Sequence, residues 1–303
     1  MSKIVKNKLN KYGCDIFTVT YNSSETILSF LKSLENNWKY INTVFILENN
    51  SPDKHKTEYL VKQYIANNKK LSYKIFFKLQ SENFGFARSC NESLKLGHSP
   101  YILFLNPDAQ LKSNSLEIMI SHAINGEADI VGGLVEDYHG NTQYTAVYKP
   151  GFIVGIFEFT NLGKLLNISI GKRKFYPQSQ INFSIENDIE VDAVSGAYLL
   201  IKRKSFVKLM GFDERFFMYL EDVDLGVRAI SQKMRVLFCP HSSILHIGGF
   251  SSKNKYKIHH KAWFESRKYF YKKHYGFFIN LVLQPVFYIE EKLLYLRLKL
   301  LNI

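Results

Sequence analysis

The stretch CDIFTVTYNSSETILSFLKSL, residues 14–34, joins an apolar, β-rich run to a helical pattern. The run over residues 14–20 carries β-branched and aromatic side chains and predicts a buried strand. The polar loop TYNSS follows, and residues 25–34 then predict a helix. A strand that leads directly into a helix is the repeating unit of a parallel α/β sheet. The apolar residues that share one face of this helix are Ile27, Phe30, Leu31 and Leu34.

The same alternation of apolar runs and helical patterns continues to residue 135. It predicts a mainly parallel, Rossmann-like α/β sheet that is covered by helices on both faces. The further strands are predicted over residues 42–48, 72–79, 100–105 and 128–135. The helices between them are predicted over residues 55–67, 85–96 and 113–124.

The second half of the chain is less regular. Residues 136–190 show no sustained period, and we interpret them as a mobile or substrate-covering insertion. Strands are predicted next over residues 191–202, 234–240 and 241–252, the last of which breaks into a glycine turn. Helices are predicted over residues 221–231, 257–275 and 277–300.

Short polar side chains stand where the predicted parallel strands end. They include the loop at residues 20–24, Glu48, and the strings at residues 81–85 and 106–108. Because parallel strands end on one edge of the sheet, these side chains are expected to face a common ligand. The sequence contains neither G-x-G-x-x-G after the first strand nor G-x-x-x-x-G-K-[ST], so the usual dinucleotide and P-loop sites are not indicated.

Two of these positions keep a second interpretation. Asn22 or Ser23 can cap the helix that follows the first strand, which satisfies its free amides. Asp108, in the string LNPDA, can bind a hard divalent cation that also holds phosphates. Asp and Pro are also common together in type I turns, so LNPDA by itself favours a turn over a cation site.

The segment GFDERFFMYLEDVDLGVR, residues 211–228, places five carboxylates among aromatic side chains. Acids beside bulky apolar groups are candidates for raised proton affinity, which suits a general base. Glu221 and Asp222, however, begin a predicted helix, where the dipole favours the charged form of an acid. The residues alone leave both interpretations open.

Histidines are a further source of possible ligands. His246 lies in HIGGFS, where imidazole can bind a metal and the glycines let the backbone approach a bulky anion. A histidine at a strand end is also commonly structural. No partner stands at metal-site spacing from His241, His259 or His260, which are predicted to be surface or tail residues.

Seven strings, taken in this order, resemble inverting family-2 glycosyltransferases with the GT-A fold of nucleotide-diphospho-sugar transferases. The resemblance covers residues 14–252 and is to the rhamnosyltransferase-like branch, which builds O-antigen, capsule and related polysaccharides. The strings are TYNSS, LENNSPD, NFGFARSCN, LNPDA, SGAYLLIKR, GFDERFFMYLEDVDLGVR and HIGGFS.

The resemblance implies a GT-A domain over residues 1–252 and a C-terminal helical extension over residues 253–303. Within the domain, residues 14–135 would bind the nucleotide sugar, and residues 136–252 would form the acceptor and catalytic half. It also implies that Asp222 is the catalytic base. The implied donor-binding residues are Thr20, Tyr21, Asn22, Glu48, Asn83, Gly85, Arg88, Asn91, Asn106 and Asp108. The residues implied to line the acceptor side or support the site are Ser195, Gly196, Glu221, Asp224 and Arg228.

The resemblance further implies Mg²⁺ or Mn²⁺ bound by Asp108 and His246. Asn106 stands where the family's D-x-D motif has its first Asp, and Glu48 stands where most relatives carry Asp. The implied reaction moves L-rhamnose from dTDP-rhamnose onto a lipid-linked or polysaccharide acceptor. Another nucleotide sugar (hexosyl, N-acetylhexosaminyl or galactofuranosyl) is the alternative within the family. A catalytically inactive nucleotide-sugar-binding or nucleic-acid-binding protein is the alternative outside it.

The net charge of +13 predicts an anionic partner. Residues 251–303 hold 11 basic and 3 acidic residues, so +8 of this charge lies in the tail, interleaved with aromatic side chains. This pattern predicts a peripheral contact with an anionic membrane, with a homodimer interface as the alternative. A nucleic-acid partner is not expected, because no recognition motif appears.

Three cysteines, far apart in the sequence, predict buried free thiols in a reducing compartment. The basic N-terminus has no apolar segment behind it, and no run reaches the roughly 18 apolar residues of a spanning helix. We therefore expect a cytoplasmic protein, placed at the inner face of the cell membrane if the tail binds there.

Overall fold

The computed structural model describes residues 13–69, 74–160, 187–246 and 256–300, together with Leu162. Within this part of the chain, ten strands form one mixed sheet and two form a small second sheet. The strands of the large sheet are β1 (Cys14–Thr20), β2 (Ile41–Glu48), β3 (Ile75–Leu79), β4 (Tyr101–Leu105), β5 (Ala109–Leu111), β6 (Ile130–Glu136), β7 (Thr142–Gln143), β9 (Ile189–Glu190), β11 (Tyr198–Lys202) and β12 (Val236–His246). The second sheet pairs β8 (Ala146–Val147) with β10 (Ala193–Val194).

Helices cover both faces of the large sheet. A 3₁₀ turn at Glu35–Tyr40 follows the short helix Ile27–Ser33, and another at Asn91–Leu94 follows the helix Gly85–Cys90. None of the described helices has the length and apolarity that crossing a membrane requires. The helices are α1 (Ile27–Ser33), α2 (Lys54–Asn67), α3 (Gly85–Cys90), α4 (Ser115–Ile124), α5 (Phe152–Phe157), α6 (Arg203–Lys208), α7 (Glu221–Ser231), α8 (Tyr256–His274) and α9 (Phe277–Leu300).

The strand order in the large sheet is β3-β2-β1-β4-β11-β6-β12-β5. Strands β3, β2, β1, β4, β6 and β12 run in one direction, whereas β11 and β5 run in the other. The predicted mainly parallel α/β sheet with a helical C-terminal extension is confirmed. Its consequence is that six strands end on the same edge, which is where the polar loops lie.

Burial on both faces follows from the side-chain alternation of the central strands. In β1, Ile16 and Phe17 point to opposite faces, and both are fully buried. Ile16 packs in a cluster with Phe30 of α1, and Phe17 packs with Phe104 and Phe206 on the other side. This double coverage explains why the strand sequences are apolar throughout rather than alternating.

Two predicted strands have different bounds in the structure. The strand over 191–202 is broken at residues 195–197, because the amide of Ser195 bonds to Thr145 and the amide of Gly196 bonds to Asp222 instead of a neighbouring strand. The strands predicted over residues 234–240 and 241–252 form, in the described residues, the single strand Val236–His246, with a register shift between Cys239 and Ser243 that accommodates Pro240.

Several predictions fall partly outside the described residues. The glycine turn after His246 and residues 163–186 of the predicted insertion lie there. The described parts of that insertion form β7, β8, α5 and β9. The predicted division of the chain at residue 252 stays a prediction.

The two C-terminal helices pack against the second half of the sheet domain. Phe270 of α8 and Leu283 and Phe287 of α9 share a buried cluster with Phe216 and Val223. The guanidinium of Arg267 lies inside this packing, with 1% of its side chain exposed. It pairs with Glu290 and donates to the carbonyls of Phe159 and Phe287. Arg267 thus joins α8, α9 and the segment after α5.

We expect Arg267→Ala to lower the free energy of unfolding by about 3–5 kcal/mol, because removing one partner of a buried ion pair leaves the other charge buried without compensation. Lys268→Ala is the matched control. It removes the adjacent pair with Glu291, which is more exposed, and should cost less than about 1 kcal/mol. Denaturant unfolding followed by circular dichroism measures both. Equal losses of unfolding free energy in the two variants would show that the buried Arg267–Glu290 pair stabilises the fold no more than the more exposed pair does.

Candidate active site

A cavity of about 500 Å³ opens at the edge where the six same-direction strands end. The loops after β1, β3 and β4 form one side, and the start of α7 and residues of α8 form the other. It is the size of a small-molecule site. The predicted residues that line it are Tyr21, Asn22, Asn83, Gly85, Asn106, Asp108, Ser195, Gly196, Glu221, Asp222 and His246.

Asn49 and Gly85 bring the loops after β2 and β3 together. The side-chain amide of Asn49 donates to the Gly85 carbonyl at 3.0 Å. Gly85 has φ of +76°, and a Cβ there would stand 2.2 Å from the Phe217 carbonyl oxygen. Only glycine fits this position, because it tolerates both the left-handed conformation and the close approach. The amide next to it, on Phe86, bonds to that same Phe217 carbonyl at 2.8 Å.

Thr20 and Glu48 lie behind the cavity wall. Both are fully buried, and the Thr20 hydroxyl donates to the Glu48 carboxylate at 2.7 Å. The other carboxylate oxygen accepts the Ser51 amide at 2.9 Å. In this structure the pair holds the loop after β2 in place, and its direct contact with a donor stays a prediction.

Arg88 and Asn91 connect α3 to the segment before α7. The Asn91 side chain bonds to both the amide and the carbonyl of Phe212, at 2.8 and 2.9 Å. The Arg88 guanidinium lies over the Phe84 ring and 4.0 Å from Glu214. Neither residue is among those that line the cavity. Their donor contacts also stay predictions.

Asp108 and His246 meet on the cavity wall because β5 pairs with the end of β12, with Ala109 opposite His246. The Asp108 carboxylate is 3.1 Å from His246 Nε2, and the Asn106 amide is 3.4 Å from the same nitrogen. On the far side of the ring, His246 Nδ1 lies 3.1 Å from Gln143 Oε1. The Gln143 amide nitrogen also donates to the His246 carbonyl at 3.4 Å, which fixes the amide orientation.

This arrangement suits a divalent cation. With the Nδ1 proton bonded to Gln143, the lone pair of His246 is on Nε2 and faces the Asp108 oxygen. Two acceptors 3.1 Å apart repel each other unless a cation or proton lies between them. Carboxylate oxygen and imidazole nitrogen together suit Mn²⁺ or Mg²⁺ bound with phosphate oxygens, and the outer hydrogen bond from Gln143 orients the imidazole.

A second group of ligand-type side chains lies away from the cavity. His122, Asp188 and Cys239 have their polar atoms within 4.8 Å of one another. Burial raises the pKa of the Cys239 thiol to about 12, and Asp188 adds to this shift. The thiol is therefore protonated at neutral pH, and His122 is bonded to Glu127 and Asp188. These contacts describe a polar cluster rather than a preformed thiolate site.

Asp222 and Glu221 stand at the first turn of α7, on the cavity. The Gly196 amide donates to one Asp222 oxygen and the Val223 amide to the other, both at 2.8 Å. Burial raises the pKa of Asp222 although these amides oppose the shift. Burial raises the pKa of Glu221 well above its ordinary value, and the charge of Asp222 adds to this. Burial therefore outweighs the backbone hydrogen bonds to both acids and raises their proton affinity, a property that suits a general base.

Asp224, one turn into the same helix, has the opposite environment. Burial by itself would raise its pKa, but the His274 hydrogen bond and the charges of Arg228 and Lys273 together lower it. His274 is 2.7 Å from one carboxylate oxygen, and the Arg228 Nε is 2.8 Å from the other. Arg228 also donates to the carbonyls of Leu209 and Gly211. Asp224 and Arg228 therefore attach α7 to α8 and to the preceding segment.

Sequence reasoning missed the contribution of α8 to the cavity. His259, predicted to be a surface or tail residue, does lie in the tail on α8, but it also lines the cavity together with Trp263. The Tyr219 hydroxyl is 2.8 Å from His259 Nδ1, and Trp263 packs edge-to-face on Phe159 with ring centroids 4.9 Å apart. Their positions depend on packing between distant parts of the chain, for which the sequence carries no local signal. Gln143 was missed for the same reason.

Residues 15–206 match the sequence profile of Glycosyl transferase family 2. The N-acetylglucosaminyl-diphospho-decaprenol L-rhamnosyltransferase of Mycobacterium tuberculosis is 29% identical over 150 residues, which are 48% of this chain and 46% of the relative. The chain thus spans under half the length of that relative. Rhamnosyltransferase WbbL of Escherichia coli K12 is 28% identical over 222 residues, 66% of this chain and 76% of the relative.

Solved structures show a similar fold. GalNAc-T7 with UDP, GalNAc and Mn²⁺ superimposes with a TM-score of 0.58 at 12% identity, over 78% of this chain and 44% of the other. The mannosyltransferase PcManGT of Pyrobaculum calidifontis, in complex with GDP-Man and Mn²⁺, gives 0.55 at 13% identity, over 87% and 65%. At these identities the likeness concerns the fold, which is GT-A. The family match covers well over half of the chain, which therefore belongs to glycosyl transferase family 2.

Proposed function

We propose that this glycosyltransferase moves a sugar from a nucleotide donor to an acceptor hydroxyl in one inverting displacement. The observation that carries the proposal is the Asp222 carboxylate, which the Gly196 amide holds on the same cavity as Asp108 and His246. A base with raised proton affinity and a cation-binding pair are the two devices that such a displacement needs.

We assign L-rhamnose from dTDP-rhamnose as the donor and a lipid-linked glycan as the acceptor. The names of both rhamnosyltransferase relatives support the sugar, and the mycobacterial name supports a lipid-diphosphate acceptor. The name "O-antigen biosynthesis protein RfbC" of a Myxococcus xanthus relative, 26% identical over 166 residues, supports a role in surface glycan synthesis. The buried free thiols Cys14, Cys90 and Cys239 fit a reducing cytoplasm.

The donor would lie along the loops after β1, β3 and β4. Tyr21, Asn22 and Asn83 line that side and offer short polar groups to the nucleotide. Asp108 and His246 would hold Mg²⁺ or Mn²⁺, whose charge would neutralise the diphosphate leaving group. Two structural neighbours contain Mn²⁺ and a nucleotide or nucleotide sugar, which supports this placement.

The acceptor would enter from the side formed by α8. Trp263 and Tyr219 offer aromatic surface to a sugar ring, and His259 offers a polar group beside them. Asp222 would accept the proton of the acceptor hydroxyl as its oxygen attacks the anomeric carbon. The bond from that carbon to the diphosphate oxygen breaks, and the nucleoside diphosphate leaves. A single displacement of this kind inverts the anomeric configuration.

A donor screen tests the sugar assignment. We expect purified protein with Mn²⁺ to release nucleoside diphosphate faster from dTDP-rhamnose than from UDP-hexoses, UDP-N-acetylhexosamines or UDP-galactofuranose. A coupled assay for the released diphosphate measures the rates. A preference for another donor would replace rhamnose but keep the enzyme class. Absence of both turnover and thermal stabilisation with every donor would overturn the enzyme assignment.

Asp222→Asn should lower the transfer rate by about 10²- to 10⁴-fold, because the amide cannot take the proton. Donor affinity, measured by calorimetry, should stay within a few-fold of the wild type. Since the pKa of Asp222 is raised, wild-type transfer should fall as pH drops through that raised value, and this limb should vanish from the residual activity of the variant. Glu214→Gln, on an exposed acid of the same segment, is the control and should keep the profile.

Cation binding tests the Asp108–His246 pair without relying on activity. Asp108→Asn and His246→Gln should each weaken Mn²⁺ binding in the presence of nucleoside diphosphate, and Gln143→Leu should weaken it about 10- to 100-fold through the imidazole orientation. Electron paramagnetic resonance of free Mn²⁺ gives the affinities. His122→Gln, in the cluster away from the cavity, should leave them unchanged. If only that control loses Mn²⁺, the cation belongs to the other cluster.

A further inference from the structure

Over residues 277–296 of α9, the polar side chains other than Lys292 face the protein, and most of the apolar side chains face outward. Asn280 donates to the Tyr271 carbonyl, and Gln284 donates to the Lys268 carbonyl. Glu290 pairs with the buried Arg267, and Glu291 pairs with Lys268. A helix that faces water has the reverse distribution.

The outward side of α9 is a continuous apolar surface, which we name the α9 apolar face. Its most exposed side chains are Phe278, at 83%, and Phe277, at 72%. Spacings of three, four and seven residues place all its members on one side of the helix. A contiguous apolar surface of this kind on a folded protein marks a contact site. The members are Phe277, Phe278, Leu281, Val282, Tyr288, Ile289, Leu293, Tyr295 and Leu296.

We propose that the α9 apolar face lies in the interfacial region of an anionic lipid bilayer. The opposite side of α9 is occupied by α8 and α5, through Leu283 and Phe287. The helix can therefore present only one side, which suits a position parallel to the bilayer surface. Phe and Tyr side chains along the face are typical of the boundary between headgroups and acyl chains.

The charges favour a lipid surface over a second copy of the chain. Lys292 stands within the α9 apolar face, between Tyr288 and Leu296 at helical spacing, with its amine 5.2 Å from the Tyr288 ring centre. A lysine there can extend its amine to lipid phosphates while its stem stays in the apolar layer. A protein interface would bury the amine, and both acids of α9 are engaged on the opposite side.

The position of the face also suits the proposed acceptor, and this step rests on the proposed function. Helix α8 packs on α9 and carries His259 and Trp263 into the cavity. Arg267 of α8 bonds both to Glu290 of α9 and to the carbonyl of Phe159, another cavity residue. Docking through α9 would thus bring the acceptor side of the cavity near the bilayer, where a lipid-linked sugar is anchored.

Vesicle flotation of the full chain tests the lipid contact without any nucleotide sugar. We expect wild-type protein to float with vesicles of phosphatidylcholine and phosphatidylglycerol, and more weakly with phosphatidylcholine alone. Phe278→Ser/Ile289→Ser should lower the partition coefficient roughly 10-fold or more, because each change removes a large apolar side chain. Phe76→Ser/Met210→Ser, at exposed apolar residues elsewhere, is the matched control and should bind like wild type.

Two further measurements make the outcomes distinct. Lys292→Ala should reduce the preference for anionic vesicles while the apolar contribution remains. Sedimentation equilibrium without lipid reports self-association. The inference is overturned if wild-type protein floats with neither vesicle, or if Phe278→Ser/Ile289→Ser dissolves a dimer without changing flotation. Release of nucleoside diphosphate by the same variants in detergent reports the proposed function separately, and it should be unchanged.

Discussion

The hydrogen bond from the Gly196 amide to the Asp222 carboxylate, 2.8 Å long, determines how the second half of the molecule is built. It takes one backbone donor out of the sheet and so separates β10 from β11. It also fixes the first turn of α7 at the cavity. A Cβ on residue 196 would stand 3.0 Å from the Phe86 ring, so the same residue lets α3 approach. One contact thus joins the sheet, the acid-bearing helix and the loop after β3.

The tail is part of this construction rather than an appendage. Asp224 of α7 binds His274 and Lys273 of α8, and Asp213 binds Lys273 and Tyr269. Part of the positive charge that the sequence concentrates after residue 251, on Arg267, Lys268 and Lys273, is therefore paired inside the protein. Over residues 277–296 of α9, the outward side is apolar surface that includes Lys292. The charge excess of the tail thus has an internal role, in positioning α7, and an external one at the α9 apolar face.

Local patterns predicted most of the fold, because continuous apolar strands and amphipathic helices are encoded within short windows. The loops at the strand ends were predicted for the same reason, since strand direction alone brings Asn22, Asp108 and His246 to one edge. The break at residues 195–197 was not, because it depends on Asp222, which is 26 residues away from Gly196. The contributions of Gln143 and Trp263 depend on contacts across more than 100 residues, and that of His259 on Tyr219, 40 residues earlier in the chain. Glu48 shows another limit, because the sequence did not reveal that it is fully buried and holds the loop after β2, while its contact with a donor stays a prediction.

The acids of α7 show how one turn of helix separates chemical roles by environment. Burial raises the pKa values of Glu221 and Asp222, so their charged forms reduce the stability of the fold. This cost is fully present above the raised values and disappears as pH falls from them to the ordinary carboxyl range. Asp224 has a lowered pKa, so it adds stability at neutral pH that is lost as pH falls through its folded value. Two of the three side chains that hold Asp224, Lys273 and His274, come from α8, and Arg228 is the third. The tail therefore helps offset the cost of keeping two acids of high proton affinity at the cavity. The proposed base at Asp222 therefore depends on the tight packing of the C-terminal helix α8 against α7.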